Sequence, residues 1–234
     1  EVEKNPASIN SLALIGHSTL RCGTVHDIKK PASESEIKVM RKNLRESLEV
    51  GAGGFSTGLF YQPNKPAPPS EVEALASELN GFKGVYATHM RNEADKLLES
   101  LSETFETAKR AGCPVVISHH KCQGSANWGK SIESLALIEK AEKKQEVGFD
   151  VYPYVAGSTV LLEEMIHSSY RIIISWSKSF PDFGGRDLSE IASEWDCSQE
   201  EAMERLQPGG GIYFSMKDED VERILAHPMA MIGS

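Results

Sequence analysis

Two histidines, His89 and His119, are the residues whose type and spacing best suit chemistry. Each ends a β-rich run, Val85–Met90 (VYATHM) and Val115–His119 (VVISH), and each precedes a helical segment. One βα unit separates them. Two imidazoles converging from adjacent strands form the start of a site for zinc or another divalent ion. A histidine that only caps a strand or bonds a backbone carbonyl carries the same signature, so spacing leaves both readings open. His120 follows directly, and strand alternation sends it to the opposite face while returning Lys121 to the side of His119. Lys121 is a point charge suited to a substrate carboxylate, or a solvated loop lysine. Tyr152, Tyr154 and Ser158 lie in DVYPYVAGST, where Pro153 ends the strand ladder and leaves a glycine-containing loop that carries hydroxyls. Tyr61, in GLFYQP, has the same status; packing is the ordinary role of such tyrosines. Neither Ser56 nor Ser158 sits in a G-x-S-x-G elbow, which argues against a serine hydrolase. His17, in GHSTLR, either reaches the same site or is a satisfied strand-end histidine, the more ordinary role.

The elements that must position these groups alternate along the chain. Ser11–His17, Gly53–Gly58, Val85–Met90, Val115–His119 and Val147–Tyr154 read as strands. Between them, Glu34–Val50, Glu71–Leu79, Ala94–Ala111 and Ser131–Gln145 read as helices, with Ile37, Met40, Leu44 and Leu48 on one face of the first and Leu97, Leu101, Phe105 and Ala108 on one face of the third. Gly112 and Pro114 stop that third helix. A long excursion then runs from Gly157 to Gly211, with an apolar run at Arg171–Trp176 and short helices near Leu188–Trp195 and Gln199–Leu206. Its periodic apolar residues look too few for a core of its own. An apolar stretch (Ile212–Met216), a helix (Asp218–Ala226) and a final strand (Met229–Ser234) follow.

Alternating βα units predict an α/β fold with a parallel sheet. No G-x-G-x-x-G opens a helix after a strand, so a dinucleotide-binding open sheet loses its main support. In a (βα)8 barrel, chemistry sits at the C-terminal ends of strands. His17, His89, His119 and Tyr152 fall at or near such ends, which favours the barrel. The excursion is then an insertion over the barrel mouth.

A net charge of -9 argues against a nucleic-acid surface. No apolar run approaches the length of a membrane span, and EVEKNPASIN lacks the apolar core of a signal peptide. Cys22, Cys113, Cys122 and Cys197 form no C-x-x-C pair and read as reduced, cytoplasmic thiols.

Taken in order, the motifs GHSTLR, GGFSTGLFYQP, YATHMRNE, VVISHHKCQGSANWGKS, DVYPYVAGST and the terminal MIGS make the sequence similar to the D-aminoacylases. These are the N-acyl-D-amino-acid deacylases of the amidohydrolase superfamily. The resemblance implies a zinc-dependent (βα)8 barrel that hydrolyses N-acyl-D-amino acids to a carboxylate and a free D-amino acid. Residues 1–234 would be an incomplete barrel domain supplying strands three to eight. His89 would be the metal ligand of strand five and His119 that of strand six. The family's H-x-H pair and ligand cysteine would lie before Glu1, and its catalytic aspartate after Ser234, leaving no catalytic residue within the chain. Tyr61, Lys121, Tyr152 and Ser158 match positions around the substrate. The strand-four segment GGFSTG holds no lysine, which counts against the branches that act on cyclic amides. A cyclic amidohydrolase and a non-catalytic barrel relic with a binding role are the alternatives. The expected partner is a small N-acyl-D-amino acid, with no nucleic acid and no membrane.

Overall fold

The structure is a computed structural model that describes residues 8–233. The first seven residues, within the segment read for a signal peptide, and Ser234, after which the family's aspartate is expected, lie outside the described residues.

The elements follow the alternation closely. They run β1 (Leu14–Gly16), α1 (His17–Thr24), α2 (Glu34–Glu49), β2 (Gly54–Gly58), α3 (Pro69–Ala76), β3 (Val85–His89), α4 (Leu97–Ala111), β4 (Val115–Ile117), α5 (Ser131–Glu142) and β5 (Val147–Val151). Then come β6 (Ala156–Val160), β7 (Arg171–Ser177), α6 (Leu188–Glu194), α7 (Gln199–Leu206), β8 (Gly209–Phe214), α8 (Asp218–Leu225) and β9 (Ala230–Ile232). The described residues divide into two compact units, the first made of residues 8–120, Ser134–Asp150 and Gly233, the second of Lys121–Glu133 with Val151–Ile232. No helix among the described residues is long and apolar enough to cross a membrane.

In the first unit, β1 to β5 pair in chain order and all in parallel. The fold is therefore α/β, as the alternation predicts. The register aligns Gly58 with His89 and Thr88 with Ile117, so successive strands end at one level. Helix α2 begins at a capping box, in which Ser33 accepts from the Glu36 backbone N–H and Glu36 accepts from that of Ser33. Its Met40, Leu44 and Leu48 are buried, as the periodicity predicts. Leu97, Leu101, Phe105 and Ala108 of α4 are buried likewise, and Gly112 closes that helix in the left-handed region at φ 68°. The helix starts at Leu97, three residues later than expected. The Asn92 side chain accepts from the Ala94 and Lys96 backbone N–H groups and holds the preceding residues in a turn.

Two of the strand ends that differ from expectation bear on histidines. β1 stops at Gly16, and His17 opens α1 instead of ending the strand. β4 stops at Ile117, because Ser118 and His119 form a turn in which His119 has φ 40°.

The second unit contains an antiparallel sheet in the order β6-β8-β7. It has an apolar core of its own, in which Ile172 and Ile174 of β7 pack with Leu188 and Ile191 of α6, Met203 and Leu206 of α7, and Tyr213 of β8. The expectation that this segment lacks enough apolar residues for a core is therefore wrong. Its periodicity is hard to see because short strands and helices each contribute only two or three inward residues. The glycines that open β8 are strand residues, not a loop: a Cβ on Gly210 would fall 2.5 Å from the Trp176 indole nitrogen, and one on Gly209 2.7 Å from the Trp176 carbonyl.

Candidate metal centre

The first unit brings His89, Glu93 and His119 together. One donor atom from each lies within 4.8 Å of the other two. His89 ends β3, and its Nδ1 faces His119 Nε2 at 2.9 Å. His119 Nδ1 meets Glu93 Oε1 at 3.1 Å, and His89 Nε2 faces Glu93 Oε2 at 3.7 Å. The two histidine side chains keep 16% and 19% of their exposure, whereas that of Glu93 keeps 4%. The Tyr61 ring packs against His89 with centroids 4.9 Å apart, and Phe60 lies 5.9 Å from it.

The geometry of His119 comes from a carboxylate and a turn. Asp150, on β5, accepts the His119 backbone N–H through its carboxylate at 2.7 Å, and its carbonyl accepts the His120 N–H at 2.7 Å. These two bonds hold a backbone conformation that is uncommon outside glycine. His119 and His120 thus diverge, as expected, but through a turn and not through strand alternation. His120 is buried and bonds Ser134 Oγ through Nε2 at 2.9 Å, with its ring edge-on to Phe149. It ties the end of β4 to α5.

His17 is also fully buried, and its Nε2 bonds Glu71 Oε1 at 2.9 Å. Arg21 and the Ala32 backbone N–H donate to the same carboxylate. Burial holds the His17 pKa below its ordinary value, against the pull of Glu71. Burial would raise that of Glu71, but hydrogen bonds from His17, Arg21 and Ala32 outweigh it and hold the carboxyl below its usual range. His17 is accordingly a core residue at a helix start, held through Nε2 while its Nδ1 is buried without a hydrogen-bond partner among the described residues.

The second unit contains the other three expected site residues. The Lys121 ammonium lies 5.5 Å from the centre of the Tyr152 ring. A Cβ on Gly157 would sit 3.1 Å from the Tyr152 hydroxyl, so glycine leaves that hydroxyl its space. Ser158 is exposed on β6, where it pairs with Ile212. The segment after Lys121 is pinned within this unit: Gly124 N–H and Trp128 Nε1 both donate to the Ser215 carbonyl, and Gly129 N–H and Ser131 Oγ donate to the Asp220 carboxylate.

Glu93 and Asp150 escape a search built on histidines. Glu93 does stand four residues after His89, and Asp150 sits at the end of the strand that opens DVYPYVAGST. A search for carboxylates one helical turn after a strand-end histidine would have found Glu93, whereas Asp150 stands thirty-one residues from His119 and carries no such signal.

The nitrogens His89 Nδ1 and His119 Nε2 suit a metal. Zinc–nitrogen bonds of about 2.0–2.1 Å in tetrahedral geometry place two ligand nitrogens roughly 3.3 Å apart. The observed 2.9 Å needs only a small opening to reach that value.

No family model matches the sequence. Among curated proteins of Alcaligenes xylosoxydans xylosoxydans, the chain is 45% identical to D-aminoacylase over 98% of its own length and 47% of the relative's. It is 41% identical to N-acyl-D-aspartate deacylase, over 99% of this chain and 47% of that one. It is 40% identical to N-acyl-D-glutamate deacylase, over 100% and 48%. Among solved structures, a D-aminoacylase crystal structure that defines a subset of amidohydrolases superposes with a TM-score of 0.94 at 44% identity, covering 98% of this chain and 48% of that one. N-acyl-D-glutamate deacylase from Bordetella bronchiseptica, solved with zinc and a phosphonate mimic of the tetrahedral intermediate, superposes with a TM-score of 0.95 at 39% identity, covering 99% and 49%. The chain thus spans about half the length of the curated relatives it matches. Over that span it is a homologue of D-aminoacylase and of the N-acyl-D-aspartate and N-acyl-D-glutamate deacylases.

Proposed function

We propose that the protein to which this chain belongs hydrolyses the amide bond of N-acyl-D-amino acids, and that His89 and His119 hold a zinc ion for that reaction. The observation that carries this reading is the pair of imidazole nitrogens at 2.9 Å, one at the end of β3 and the other on the turn that follows the neighbouring parallel strand β4. The homologues support it, since they are deacylases and one of them was solved with zinc. The parallel order β1 to β5 supports a (βα)8 barrel in which this chain supplies strands three to eight.

In this reading His89 presents Nδ1 and His119 presents Nε2 to the metal. When bound, zinc polarises the scissile carbonyl and lowers the pKa of water towards about 7. Asp150 keeps His119 in place through its backbone. Lys121 takes the substrate carboxylate as a point charge, and Tyr152, Ser158 and Tyr61 offer hydroxyls to orient the acyl group or its developing oxyanion. The proton transfers fall to residues beyond the described span. The test is turnover by the purified full-length protein, loaded with zinc, on N-acetyl-D- and N-acetyl-L-amino acids. Release of the free D-amino acid with little from the L-isomer is the expected result; no turnover of either, or a preference for L, overturns the reading.

A further inference from the structure

We propose that Glu93 is a positioning residue, whose carboxylate takes the ring N–H of His119 and faces that of His89, and so fixes which nitrogen each histidine turns to the metal. The inference rests on the zinc reading above. It adds a choice of ring nitrogen and a role for a buried carboxylate.

The geometry divides the four ring nitrogens into two pairs. His89 Nδ1 and His119 Nε2 face each other at 2.9 Å. The remaining two, His119 Nδ1 and His89 Nε2, face the two oxygens of the Glu93 carboxylate at 3.1 and 3.7 Å. A neutral imidazole has one N–H and one lone pair. For both facing nitrogens to offer lone pairs to one metal, both protons must sit on the nitrogens that face Glu93. An ionised carboxylate only accepts, so it stabilises that arrangement and no other.

Burial decides between this role and that of a third ligand. A catalytic zinc keeps an open coordination position. The Glu93 side chain is 4% exposed, and the histidines keep several times that. The side of the rings towards Glu93 is therefore closed by protein, and substrate must approach from the other side. A metal on the Glu93 side would be shut away from substrate.

The experiment uses the full-length protein. Zinc affinity is measured by competition with a chelator for the wild type, Glu93→Gln and Glu93→Ala, beside the melting temperature of each metal-free protein. Removal of a carboxylate that orients a ligand histidine lowers metal affinity about 10- to 100-fold. The expected result is a loss of that size in both variants, with metal-free melting temperatures close to wild type. The structure of the zinc-loaded wild type decides independently, should the variants fold poorly. There, zinc bonded to His89 Nδ1 and His119 Nε2, with both Glu93 oxygens on the far ring nitrogens, supports the inference. A Glu93 oxygen at about 2.0–2.2 Å from zinc makes it a ligand and overturns the inference. Full zinc affinity in Glu93→Gln overturns it too, while leaving the zinc reading intact. Wild-type protein that binds no zinc through His89 and His119 overturns both.

Discussion

Glu71→Leu should destabilise the protein severely although it touches no proposed ligand. Glu71 is fully buried and accepts from His17 Nε2 at 2.9 Å, from the Ala32 backbone N–H at 3.1 Å and from the Arg21 guanidinium. Arg21 is itself fully buried, and its other terminal nitrogen donates to the Lys30 carbonyl at 2.6 Å. Removing the carboxylate leaves a guanidinium away from water with the Lys30 carbonyl as its remaining acceptor among the described residues. Breaking a buried pair by deleting one partner costs about 3–5 kcal/mol. At about 1.4 kcal/mol per decade, the folding equilibrium falls roughly 100- to 1,000-fold or more. Removing both charges with shapes kept, in Arg21→Met with Glu71→Leu, should cost far less than the single change, because no charge is then stranded. Urea denaturation of the full-length protein and its variants, followed by circular dichroism at neutral pH, reads both. A loss under about 1 kcal/mol in Glu71→Leu would refute the reasoning, as would a double variant that is weaker than the single one.

The same network sets an acid limit. His17 is held below its ordinary 6.5, so the unfolded chain binds its proton first and stability falls as pH drops below that value. Glu71 is held below its ordinary 4.5, so its contribution is full above that pH and is lost as pH falls through its lower folded value. Melting temperatures should therefore decline from about pH 6.5 downwards; in Glu71→Leu the carboxylate part of that decline should vanish, and a curve unchanged by the substitution would contradict this. Separately, Asp220→Ala should free the Gly129 amide, which donates to Asp220 at 2.7 Å. Its hydrogen exchange should quicken by roughly one to two decades, matching about 1–3 kcal/mol for a buried acceptor lost, and unchanged exchange would show that the loop after Lys121 is held by other means.

Much of the first unit can be read in its sequence, because each element there carries a single clear period. Helix α4 buries the four residues its spacing picks out, and the strands that lead to His89 and His119 sit next to each other in register. The failures have physical causes. His17 begins a helix because the apolar run before it gives no stop signal: Gly16 caps α1 without a side-chain hydrogen bond. His119 lies on a turn because Asp150, thirty-one residues away, supplies the acceptor that pays for its positive φ. Such a tertiary partner leaves no local trace. The core of the second unit is hidden for the same reason, being assembled from short strands and short helices distant in sequence. Glu93 is local to His89, yet its role emerges only when His119 closes the cluster.

The central claim is that His89 and His119 together hold the zinc. Its most direct test is the zinc content of the full-length protein after dialysis against metal-free buffer, for the wild type, His89→Ala, His119→Ala and, as a control, His120→Ala. The account predicts bound zinc in the wild type, loss in each of the first two variants, and retention in His120→Ala, whose ring bonds Ser134 and not the cluster. Zinc retained at wild-type level in folded His89→Ala or His119→Ala would contradict it.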